Sequence, residues 1–450
     1  MDLDSWKNSP SRLAAAWQRL RTSLWLIPGI IVTGATALAV ALIQLDLRFA
    51  SMLMQRWPGL FGAGTEGARA MLTAIAGSMI TVAGVIFSIT LVVLSSAATQ
   101  YSPRVLRSFM ADRLNQSVLG VFVGIYAYCL VVLRTIRGTD EGAFVPALAV
   151  LGGVVLAFVG VAYLIYFIHH VGVSIQASAI ISRIAEETTG SFRGICLGSR
   201  PGRDGPADGN VSPVAAWPVQ AGTVRAATSG YVVRLDVDRL VRLACDHDLC
   251  IRMDRALGQF VVRCEAVASV TGVASPSPGL LRQLSNAVEI SRERSAELDP
   301  TYGLRQLVDV ALRALSSGIN DPTTARMAID QLTAIFVALA RLGPRRRSYC
   351  DRADRPRLAL SLPAFQTLLR DSYGEIRQAA KGSVAVLRSI ASSLARLESE
   401  VCEPWRREAL LIEADALREE VEWVAAHVQA DWDEPRQLIA GLIRSLSQAR

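Results

Sequence analysis

AMLTAIAGSMITVAGVIFSITLVVLSSAATQYSP, residues 70–103, runs for 34 residues without a charged side chain. As a straight helix it extends about 51 Å at 1.5 Å per residue, more than the hydrocarbon core of a bilayer requires. A charge at mid-bilayer costs at least about 2.5 kcal/mol, so this stretch reads as a membrane span that tilts strongly or projects beyond the bilayer. Three more charge-free gaps flank it, between Arg21 and Asp46, between Arg113 and Arg134, and from Gly142 to Arg183. Each meets the length of a spanning helix, and we expect four spans at residues 24–45, 70–97, 114–133 and 144–168. The first is longer than a signal-peptide core and no convincing small-residue cleavage site follows it, so it is read as retained.

The remaining composition agrees. Of 450 residues 51% are hydrophobic, and the mean hydropathy is positive, too apolar for an ordinary soluble enzyme. Up to Ser182 the chain has 12 basic and 7 acidic residues, and beyond it 35 and 33, so the positive excess sits in loops flanking the spans. That distribution speaks against nucleic-acid binding. Lys7, Arg12, Arg19 and Arg21 before the first span, and Arg104, Arg107 and Arg113 between the second and third, place both termini in the cytoplasm, with an inner-membrane location. Seven scattered cysteines, mostly in the expected cytoplasmic part, give no disulfide framework.

Polar residues on the second span are ordered. Ser78, Thr81, Ser88, Ser95 and Thr99 fall on one helical stripe interrupted only by Val85 and Val92, with Gly77 and Gly84 beside it. Small hydroxyl residues serve helix packing, because they let backbones approach and bond back to carbonyls. They also suit the wall of a pore shared by several copies, where weak hydroxyl sites let an ion enter and leave. No acidic residue is expected inside a span, which argues against a carboxylate-driven proton pump. His169 and His170 close the fourth span beside Tyr163 and Tyr166, where amphipathic side chains anchor a helix at headgroup depth.

Beyond the membrane part (1–182), residues 183–218 read as a helix extension and linker. Short β-like runs at 222–226, 230–235, 249–253 and 260–264 suggest a small β-barrel or sandwich over 219–273, with one helix at 237–245. Residues 280–450 read as a helical domain. Leu304, Leu307, Val308, Ala311, Leu312 and Leu315 make one apolar face, and Asp321 caps the next helix with Pro322 at its first position. Leucine and valine steps around 387–401 and 417–428, with Pro404 between them, predict a helical hairpin. The fold class is thus a four-span α-helical membrane protein with a cytoplasmic α+β region.

No phosphate loop, dinucleotide fingerprint, zinc-type cysteine pair or nucleophile elbow is present, and we expect no enzyme, cofactor or metal. Cys245-Asp-His-Asp-Leu-Cys250 is the one compact ligand-like cluster, and its spacing matches no common zinc motif. Asp309, Asn320 and Asp321 are candidates for holding an ion or locking an interface. Gly77–Thr90, Tyr166-Phe-Ile-His-His-Val171, Gly230-Tyr-Val and Gly303–Ser316 with Gly318-Ile-Asn-Asp-Pro322 resemble a bacterial predicted-membrane-protein family, domain of unknown function 2254. The resemblance implies four spans and a cytoplasmic C-terminal region, and no established activity. Gly258-Gln-Phe-Val-Val-Arg-Cys264 resembles a biotinyl- or lipoyl-type strand turn, but Cys264 replaces a turn glycine and no carrier lysine is there. The leading expectation is a homo-oligomer in the lipid bilayer with channel-like architecture for a small ion or solute. The alternative is a membrane-anchored sensor or scaffold that recruits a cytoplasmic protein.

Overall fold

The computed structural model describes residues 26–56, 64–100, 113–137, 144–174, 176–197, 220–272, 276–294, 299–342, 348–351, 353, 355–380 and 382–448. Arg104, Arg107, the linker from 198 to 218 and the side chain of Thr99 lie outside the described residues. The chain divides into two compact units, Met1–Gln176 and Ala177–Arg450.

The first unit contains four helices, α1 (Leu26–Arg56), α2 (Thr65–Gln100), α3 (Arg113–Thr135) and α4 (Ala147–Ser174). All four are long and apolar enough to cross a membrane. They are apolar nearly all round, as helices solvated by lipid on one side and by one another on the other must be. Helix α3 is central, packed against α1, α2 and α4, and carries Phe122, Tyr128 and Val132 into the buried core. Helix α2 extends 36 residues, longer than a perpendicular crossing needs.

The second unit opens with α5 (Ala177–Leu197), a separate helix after the end of α4 at Ser174, packed on the later helices α8 (Pro300–Ala314) and α9 (Pro322–Arg341). Strands β1 (Gln220–Arg225), β2 (Gly230–Leu235), β3 (Cys250–Met253), β4 (Phe260–Val261), β5 (Ala266–Thr271), β6 (Val288–Ser291), β7 (Ser348–Cys350) and β8 (Pro356–Ala359) follow, with α6 (Val237–Asp246) and α7 (Pro278–Ser285) between them. They form two open sheets, one ordered β1-β5-β3-β8-β7 and the other β4-β2-β6.

Of the expected barrel or sandwich, the barrel is corrected at this point, because neither sheet closes. The strands are two to six residues long, and β1 and β2 carry register shifts that interrupt their ladders. In the larger sheet β8 adds in parallel to β3, the one parallel pairing among the described strands, and β7 forms an edge. Val232, Ile251, Val261, Val267, Val270 and Leu358 line the shared apolar core.

After the sheets come α10 (Phe365–Leu369), a π-helical turn at Arg370–Gly374, α11 (Glu375–Ala379), α12 (Val384–Glu398), α13 (Pro404–Ala425) and α14 (Asp433–Gln448). The hairpin of α12 and α13 is joined by α14, which packs on both. Leu387, Ile390, Leu394 and Leu397 of α12 and Leu410, Leu417, Val421 and Val424 of α13 are buried as their spacing requires.

Candidate functional site

On α2 one face is buried within the chain, carrying Ala68, Leu72, Ala76, Met79, Ala83 and Ile86. The hydroxyl stripe lies on the opposite face. Ser78, Thr81, Ser88 and Ser95 are all exposed, Val85 and Val92 between them are 53% and 65% exposed, and nothing of the chain comes within 4 Å of where a Cβ on Gly77 or Gly84 would stand. The stripe's described residues thus lie off the face of α2 that packs into the first unit's core. Ser78 Oγ donates to Ala74 O at 2.8 Å and Thr81 Oγ1 to Gly77 O at 2.8 Å. With those hydrogens engaged on the helix, both oxygens turn outward as acceptors.

Asp46 is a residue that the charge pattern misplaced. Taken from sequence as the limit of the first span, it lies inside α1, within a candidate span of Leu26–Arg48, so the expectation of no acidic residue in a span is corrected. Its carboxylate is buried, with Oδ1 accepting from Leu148 N and Oδ2 from Ala149 N, each at 3.0 Å. A carboxylate from one helix thus caps the N-terminus of another, where free N–H groups and the helix dipole favour negative charge. Tyr128 Oη donates to Ala149 O at 2.7 Å, fixing the same turn from α3. The signal in the sequence was Pro146 just before the fourth span, a helix start with no capping side chain of its own.

At the other end of α4, the Tyr163, Tyr166 and His170 rings follow one another at 6.2 and 6.3 Å, and Ser117 Oγ lies 2.6 Å from Tyr163 Oη. His169 is exposed.

The Cys245–Cys250 segment is the turn between α6 and β3. Cys245, Asp246 and His247 are exposed, and Cys250 Sγ donates to Pro356 O at 2.9 Å. Asp248, at φ 50°, faces the buried Arg357, which donates to it at 2.6 Å and also to Asp351 and Leu249 O. The Arg357 hydrogen bond and charge hold the Asp248 carboxyl below its usual value. Burial raises Asp351, yet the Arg355 backbone N–H, the Arg357 guanidinium and the Ala353 N–H outweigh it and bring the carboxyl down to about 2. The segment serves to lock β8 beside β3. Among the described residues no group of three or more His, Cys, Asp or Glu side chains is placed to hold a metal ion.

Asp309 accepts from Arg305 Nε at 2.8 Å, one turn away, and Arg305 also reaches Glu375 at the start of α11. Asn320 stands at φ 47° on the exposed corner between α8 and α9. Asp321 caps α9, accepting from the Thr323 and Thr324 N–H groups and the Thr324 hydroxyl. Asp309 thus lies within α8 and shares Arg305 with Glu375, Asn320 forms a corner, and Asp321 holds a helix start.

Among known proteins, an uncharacterized protein of Mycobacterium bovis and one of Mycobacterium tuberculosis are each 32% identical to this chain over 406 residues, covering 89% of it and 76% of the relative. No solved structure matches. The family model described as Predicted membrane protein (DUF2254) matches residues 21–396, and the chain belongs to that family.

Proposed function

We propose that the protein is not an enzyme but a homo-oligomer of the inner membrane, in which α2 helices of several copies face one another and form a channel-like path for a small ion or solute. The single observation that carries this reading is the outward hydroxyl and glycine face of α2, opposite the face that packs on the described helices of the first unit. A surface that only meets lipid gains nothing from glycine and hydroxyl side chains, whereas close helix contact and a polar path both need them. The acceptor oxygens of Ser78 and Thr81 favour a cation. In this reading both termini and the second unit are cytoplasmic.

The mass of the nanodisc-embedded particle, measured by multi-angle light scattering, tests the assembly, since a path lined by one helix per copy needs a tetramer or larger. Ser88→Leu combined with Ser95→Leu then abolishes conductance in planar bilayers. A monomeric particle, or unaltered conductance in that variant, overturns the proposal.

A second reading has its own observation. Trp423 on α13 is 60% exposed and stacked on His427 at 4.6 Å, with Ile412 45% exposed on the same helix. Exposed apolar side chains along one helix fit a scaffold that recruits a protein, and co-purification of one stable partner, lost with Trp423→Ala, would favour it over conduction.

A further inference from the structure

The helical part of the second unit encloses a carboxylate of which one buried oxygen has no hydrogen-bond partner among the described residues. Glu413 lies on the inward face of α13 with its side chain 5% exposed. Its nearest counter-charge is Arg377 of α11, with Nε 3.5 Å from Glu413 Oε1, and neither atom has a hydrogen-bond partner among the described residues. A tight buried ion pair has shorter, directed hydrogen bonds, because only those offset the loss of water around both charges. Arg377 is meanwhile committed elsewhere. Its Nη1 donates to Ala416 O at 3.0 Å and lies 3.5 Å from Glu420 Oε2, a carboxylate two turns along α13 and 22% exposed. Two carboxylates therefore face one guanidinium at the same 3.5 Å, and only the shallower one, Glu420, receives a hydrogen bond from it.

The charged groups around Glu413 come from few directions. Arg370 of the π turn acts on it from a distance, and Tyr373 of the same turn feels both Glu413 and Asp330 of α9. Helix α10 has no charged residue. Arg388 of α12 is engaged with Glu434 of α14, and Arg436 of α14 with Glu422. Arg406, on α13 itself, pairs with Glu403 and donates to Ala340 O.

The π turn completes the arrangement. Its extra residue brings Tyr373 into the core, where Tyr373 Oη lies 2.7 Å from Ser393 Oγ and Ser393 Oγ 2.5 Å from Thr333 Oγ1. Thr333 donates to Ile329 O at 2.7 Å, so the chain of donors runs from Tyr373 to Ser393 to Thr333. Single π turns inside helices are costly and cluster at functional positions.

We propose that Glu413 is a proton-binding site, in which the proton is taken up and released around Arg377 beside the π turn, so that cytoplasmic pH sets the charge inside the helical domain. When Glu413 is protonated, Glu420 alone is the counter-charge of Arg377. When Glu413 ionises, it competes with Glu420 for the same guanidinium and draws it deeper toward the π turn. Burial is the largest influence on Glu413 and pushes its carboxyl up to about 7, with Arg377 and Arg370 opposing it.

The test is an infrared titration of the carboxylic-acid C=O band on the full-length protein in nanodiscs, between about pH 6 and about pH 9, read as the difference between wild type and Glu413→Gln so that the tail of the other carboxylates cancels. The wild type is expected to show one band that disappears with a midpoint near neutrality and that is absent from Glu413→Gln. Glu420→Gln, at the wetter rim, removes the competing carboxylate, so the midpoint falls by about one pH unit. A wild type without a band in this window overturns the site. So does a band that survives Glu413→Gln, or a midpoint unmoved by Glu420→Gln. Should Glu413→Gln fail to fold, the wild-type titration and Glu420→Gln still decide.

Discussion

Gly303, in the second turn of α8, has no room for a side chain. A Cβ built there would stand 1.9 Å from Thr188 Oγ1 and 2.9 Å from Thr188 Cβ, on α5. Thr188 is fully buried and its hydroxyl donates to Ile184 O, so it cannot turn aside. Gly303→Ala must push the two helices apart and is expected to cost about 1–3 kcal/mol, read as a lower thermal midpoint of the second unit. Adding Thr188→Ala should recover part of that loss. An unchanged midpoint in the single variant would mean that α5 does not dock on α8 in this way.

Glu413 governs how the same unit responds to pH. Its carboxyl is raised from 4.5 to about 7 in the folded state, so the folded chain binds this proton more tightly than the unfolded one. Below pH 4.5 both states are protonated and the group has no effect. Between 4.5 and about 7 the unfolded state releases the proton while the folded state retains it, and stability falls as pH rises. The full difference approaches about 3 kcal/mol. Asp321 acts in the opposite sense, since hydrogen bonds from Thr324 depress its carboxyl and its contribution is lost as pH falls below the normal carboxylate range. In chemical denaturation, wild type should therefore weaken from pH 5 toward pH 8, and Glu413→Gln should remove most of that slope.

At the scale of elements, helix starts carry the clearest physical signatures. Asp321 was legible because its cap acts on the residues that follow it, with Pro322 marking the first turn. Asp46 was not legible, because it caps a helix that begins about a hundred positions later, and a lone acid beside an apolar run reads as the end of that run. The four spans were recognisable from charge-free length alone, since lipid forbids charge over a fixed thickness. The sheets were only half legible. The alternating runs within 222–264 overlap strands β1 to β4, yet β8 pairs with β3 across about a hundred residues with β7 added on its far side, and both are too short for a period to show. The hydroxyl stripe could be drawn from sequence, but its exposure could not, because that depends on which face α3 and α4 cover.

Asp46→Ala would leave the Leu148 and Ala149 N–H groups unpaired in a low-dielectric setting, at about 1–3 kcal/mol for each buried donor. The first unit should then unfold earlier in detergent, with Asp46→Asn intermediate because it retains one acceptor. Equal stability of all three proteins would show that water or lipid headgroups satisfy α4 instead.

At the scale of the whole molecule, the question is whether the chain is complete by itself in the bilayer, and Gly84 separates the two cases. Within one chain a side chain at Gly84 meets open space, and leucine is a better helix former than glycine by about 1 kcal/mol. Gly84→Leu should therefore leave the fold of a single copy intact or slightly firmer. Gly77 and Gly84 are seven residues apart, so they stand on one line along α2, the spacing at which two helices can approach closely. In an assembly built on that line an isobutyl group would hold neighbouring helices apart. If copies meet through α2, Gly84→Leu particles should lose mass in light scattering while circular dichroism stays that of the wild type, and Gly84→Ala should fall between. If particle mass is the same in all three, α2 faces lipid, and the hydroxyl line has no part in joining copies or in conduction between them.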